Sequence, residues 1–176
     1  MKDTIKKKGK KMPTNTELTT YKNLPPFEKN IVYILSIIYT PIATTLLKDC
    51  LAAAGVKTNK GLRFDDSYKY RSLMLNELRP TVDMLEKAGI IQKREYGRLA
   101  LKPAIADIAI RQTVKENRFN SLLKAIETKI DLMNGEKMDL VAAVRILFYQ
   151  KKWMTSWIIT ISIKIKFTMP NHYQRS

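Results

Sequence analysis

The stretch VDMLEKAGIIQKREYGRLALK, residues 82–102, leaves the chain few ways to fold. Val82, Leu85 and Ala88 recur at helical spacing, and Gly89 follows as a natural helix stop. Ile90-Ile91 then opens a strand, Tyr96-Gly97 turns it, and Leu99 and Leu101 return at period two. A helix is thus followed at once by a short hairpin that carries Gln92, Lys93, Arg94 and Arg98. Pro80 suits a first helical turn, so the helix is expected over 79–88 and the ribbon over 91–101.

Two further helices are expected before this unit. Pro25 and Pro26 mark the start of the first, in which Phe27, Ile31, Ile34, Leu35 and Ile38 share a face. Val32, Ile37 and Tyr39 widen that face, so this helix should be buried on more than one side. Thr40 and Pro41 have the residue types of an N-cap and a first helical position for the second helix. That helix carries Ile42, Leu46, Leu47, Cys50, Leu51 and Ala54 and ends at Gly55. Residues 56–71 form a polar connection, longer than is usual, and SLMLNEL (72–78) fits no single pattern.

Three helices and then a basic two-stranded ribbon form an order that resembles the winged helix-turn-helix DNA-binding domain family, over about residues 27–102. The resemblance implies a mainly α chain: a winged helix of three helices plus a two-stranded β ribbon, followed by a helical extension. It implies duplex DNA as the partner, with helix 79–88 in the major groove and wing 91–101 on the backbone or in the minor groove. By its roles, Arg79 and Thr81 at the exposed start of the helix reach base edges, Lys93, Arg94 and Arg98 hold phosphates, and Tyr96 packs on sugar. Asp83 and Glu86 depart from a comfortable DNA reader because phosphates repel them. The long connection departs as well. Both departures keep open an adaptor that docks partner proteins through the winged helix and its extension.

Charge points to the same class of partner. The chain carries 32 Lys and Arg against 16 Asp and Glu, a formal net charge of +16, which suits a polyanion. Residues 1–24 are rich in Lys and Thr and poor in large apolar groups, so they are expected as a disordered basic arm that holds phosphates without reading sequence. Residues 103–152 are expected as the helical extension: one helical region from Pro103 to about Met133, then a helix through Leu140, Val141, Val144, Leu147 and Phe148. The extension is also a candidate homodimer interface or a contact within a larger complex. In the tail, 153–176, Ile159, Ile161, Ile163, Ile165 and Phe167 alternate with polar residues as in a strand. A lone strand needs a sheet, so it is expected to add to the ribbon, to pair with another molecule, or to be the tail of a truncated chain, and the change of character suggests the front part of something longer.

The sequence offers little for catalysis. Cys50 is the sole cysteine, set among apolar residues at helical spacing, and His172 is the sole histidine. Asp65-Asp66 has the character of a turn or cap, and Trp153 and Trp157 of a packing pair. Neither G-x-x-x-x-G-K-[ST] nor G-x-G-x-x-G occurs. A non-enzyme without metal or cofactor is expected. No apolar run reaches the length of a membrane span, since Pro41 ends IVYILSIIY, so a cytoplasmic protein is expected, nucleoid-associated in a bacterium or nuclear in a eukaryote.

Overall fold

The computed structural model describes residues 13–61, 63, 71–130 and 140–150. The strand expected at 158–167, Asp65-Asp66, the tryptophans and His172 lie outside them. Among the described residues the chain is mainly helical, with seven α-helices and a small antiparallel sheet. In order these are α1 (Asn15–Lys22), α2 (Pro26–Ile38), α3 (Thr44–Ala53), α4 (Arg71–Lys87), β1 (Ile91–Lys93), β2 (Leu99–Leu101), α5 (Pro103–Lys115), α6 (Phe119–Glu127) and α7 (Leu140–Tyr149).

Helix α2 is the centre of the fold. Ten of its 13 residues are buried, as expected from an apolar surface that runs almost all the way round. It packs most extensively against α5, and also against α3, α6, β2 and α7. Residues from α5, α6 and α7 (Ile105, Ala109, Ile110, Phe119, Leu122, Ile126, Ile146) belong to the same core cluster as Ile31, Leu47, Leu85 and Leu99. The segment expected as an extension therefore completes the core. A helix that is apolar all round needs partners on every side, and α3 and β2 cover only part of α2.

Residues 13–24 also depart from the expected disorder. Thr14 and Glu17 form a capping box at the start of α1, and Tyr21 and Leu24 are buried in the core. Lys102 donates to Glu17, tying α1 to the end of β2. Gly89 lies beneath this pair in the left-handed region, φ +72°, and an added Cβ would stand 3.0 Å from Lys102 Nζ. The expected helix stop at Gly89 thus serves close packing as well as the turn.

Helix α4 begins at Arg71, eight residues before the expected start, and Pro80 lies inside it. Pro80 and Asn76 are both exposed. The carbonyl that the proline leaves without an amide is on the solvent side, which makes the interior proline tolerable. Thr40 and Pro41 do not start α3, which begins at Thr44. Between them, Ile42 donates to Leu99 O at 3.0 Å and accepts from Leu99 N at 2.7 Å. These two bonds hold the chain extended, and Ile42 adds a short third rung to the ribbon. The expected single helical region after Pro103 is split at Asn117, φ +57°, where Arg118 N donates back to Thr113 O at 2.8 Å. This is the same left-handed ending seen at Gly89, made here by Asn.

Candidate nucleic-acid interface

Leu78, Val82 and Leu85 fix the roll of α4 by facing the core. Asn76, Arg79, Pro80, Asp83, Met84 and Lys87 therefore share its exposed side. Arg79 is exposed but lies at mid-helix, because α4 starts earlier than the position of Pro80 implied. Thr81 does not join it. A two-residue step turns the side chain to the other flank, where it is half-buried and its hydroxyl donates to Glu77 O at 3.3 Å.

The ribbon is set by the register Ile91↔Leu101, Gln92↔Ala100 and Lys93↔Leu99. Ile91 and Leu99 anchor it in the core, which sends the three residues 95–97 outward. Arg94 N donates to Arg98 O at 2.7 Å and closes the loop. Tyr96 stands at the tip, 96% exposed, with φ +56° in the left-handed region that side chains with a Cβ avoid. Pro41, Lys93, Arg94, Glu95, Tyr96 and Arg98 line an open groove of about 580 Å³ on this ribbon.

The cations of the ribbon are not equivalent. Lys93 Nζ lies 2.8 Å from Asp83 and 2.8 Å from Glu86, joining β1 to α4. Its hydrogen bonds to Asp83 and Glu86 push its pKa up to about 12. The same lysine, by hydrogen bond and then by charge, holds the Asp83 carboxyl below its usual range, with Lys87 and Arg79 adding to the effect. The two acids that looked hostile to phosphate are thus answered from the ribbon. Arg94 and Arg98 make no ion pair among the described residues and remain open to a partner.

Of the six residues singled out from sequence, Lys93, Arg94, Tyr96 and Arg98 come together on the groove. Arg79 lies on the neighbouring helix face and Thr81 is turned aside. Sequence reasoning missed Pro41, Asn76 and Lys87. The spacing of Leu78, Val82 and Leu85 carries the helix back through Asn76, and that signal was available in SLMLNEL. Elsewhere, burial pushes the Cys50 thiol up to about 12, so it is an inert core residue. Among the described residues no cluster of His, Cys, Asp and Glu is suited to a metal, and no helix is long and apolar enough to cross a membrane.

No protein-family model, curated protein or solved structure matches this chain.

Proposed function

We propose that this protein binds duplex DNA through a winged helix, as a transcription regulator or as the DNA-engaging module of a larger assembly. In this reading α2, α3 and α4 are the three helices, α4 enters the major groove, and the ribbon 91–101 is the wing. One observation carries it. A single short rung at Ile42 joins the basic hairpin to the chain just before α3, Arg94, Tyr96 and Arg98 stand outward on the groove of that hairpin, and Lys93 ties its first strand to α4. A cationic tip next to a solvent-facing helix is the arrangement needed to grip backbone while a helix lies in a groove. The formal charge of +16 supplies a field of the right sign.

A second reading is a protein-docking adaptor. Val144 and Phe148 favour it, each 55% exposed and one helical turn apart on α7.

Titration of a labelled random-sequence duplex across a salt series separates the two. Contacts from Arg79, Arg94 and Arg98 alone predict that log K falls linearly with log salt, with a slope of about −2.7 or steeper. No binding at low salt, or binding without salt dependence, would remove the DNA reading and leave the adaptor.

A further inference from the structure

Among the described residues Lys93 is the one cation of the ribbon with ion-pair partners, and both are carboxylates of the helix that would lie in the groove. Two roles compete for it. It could leave Asp83 and Glu86 to hold a phosphate, or it could remain where it is. Leaving would uncover two carboxylates, one of them 53% exposed, on a surface pressed against a polyanion. Staying keeps both neutralised and ties the first strand of the wing to α4. Arg94 and Arg98 lie further along the hairpin, beyond the strand residues that reach the core, and need no release to meet a backbone.

We infer that Lys93 is a positioning residue of the DNA interface: it bridges Asp83 and Glu86 in the bound state, cancels their repulsion of phosphate and fixes the wing on α4, while Arg94 and Arg98 make the wing's phosphate contacts. This rests on the DNA-binding reading and refines it. The bridge is at the surface, so free in solution it adds little to folding. Its effect is felt when phosphates approach, because removal of the lysine alone leaves the acids uncompensated.

The test is a double-mutant cycle on duplex affinity at one salt concentration. The four proteins are the natural chain, Lys93→Ala, Asp83→Asn/Glu86→Gln, and all three changes together. With two charge pairs uncovered, Lys93→Ala should weaken binding roughly tenfold in the natural background. In the Asp83→Asn/Glu86→Gln background the same change should cost about twofold or less and leave the salt slope unaltered, because no phosphate contact is lost. Titration of the Asp83 carboxyl by ¹³C NMR in the DNA complex adds a readout that wing stability does not move. It should stay below the usual carboxylate range.

An equal loss in both backgrounds, with a slope shallower by about one unit, would overturn the inference and make Lys93 a direct phosphate contact. So would an Asp83 carboxyl that returns to its ordinary range on binding. A natural chain that fails to bind duplex at all is a separate outcome, which removes the DNA reading and this inference with it.

Discussion

Replacement of Ile110 by Ala tests whether the helices after the ribbon belong to the ribbon's own core. Ile110 is fully buried on α5 and belongs to the cluster that includes Ile31 on α2 and Leu85 on α4. Truncation removes three buried carbons and leaves a cavity between α5 and α2, at a cost of about 2–5 kcal/mol. Against a total stability of roughly 5–15 kcal/mol, that is a large fraction. For a domain of this size, a loss near 3 kcal/mol corresponds to a fall in Tm of roughly 6–12 °C. Urea unfolding followed by far-UV circular dichroism measures the loss, and hydrogen exchange at the Leu85 amide reports on α4 locally. One shared core predicts a single transition at lower urea and an equal loss of protection at Leu85. If the Leu85 amide kept its natural protection while only part of the helical signal melted early, α5 would be a separate unit and the account of the core would be wrong.

Other positions test the fold and the site independently. Tyr96→Gly should raise Tm by roughly 2–4 °C, the relief of one left-handed side chain, and yet weaken duplex binding; a variant that binds duplex as well as the natural chain would show that Tyr96 is not a contact. The Glu17 carboxyl is held below its usual range first by its hydrogen bond from Lys102 and then by the Thr14 backbone amide. Its contribution to stability is complete above about pH 4.5 and is lost as pH falls through the lowered folded value. The stability gap between the natural chain and Glu17→Gln should therefore be widest near neutrality and close in acid; a gap that did not narrow would place the effect elsewhere. Cys50 should resist a thiol reagent at pH 8 in the native protein and react fully in denaturant, since burial raises its pKa to about 12. Rapid native labelling would contradict its place in the core.

The local pattern at 82–102 was legible because each part of it is short-range. Val82 and Leu85 face inward, Gly89 ends the helix, and the ribbon turns at Tyr96-Gly97. The breadth of the apolar surface on α2 was legible too, but which elements cover it was not. Nothing local in PAIADIAI says that Ile105 and Ala109 seat on a helix some 75 residues earlier. Helix α1 was missed because it has one buried tyrosine and little else that is apolar, and a capping box and one ion pair secure it. Ile42 sits in a helical pattern with Leu46, but two backbone bonds to Leu99 outweigh that local preference. The early start of α4 was hidden by Pro80, which is commoner at a helix start than inside one. At the site, the residue types on the ribbon were visible. The pairing of Lys93 with two acids was not, because it exists only once β1 lies against α4.

The surface that meets DNA is the central claim, and amide ¹H–¹⁵N shift mapping of the full chain during titration with a random-sequence duplex tests it most directly. The account predicts that shifts concentrate on 76–87 along the exposed face of α4 and on 93–98 at the wing, and that Val144 and Phe148 on α7 stay unmoved. Shifts centred on α7 with the wing silent, or no shifts at low salt, would contradict it.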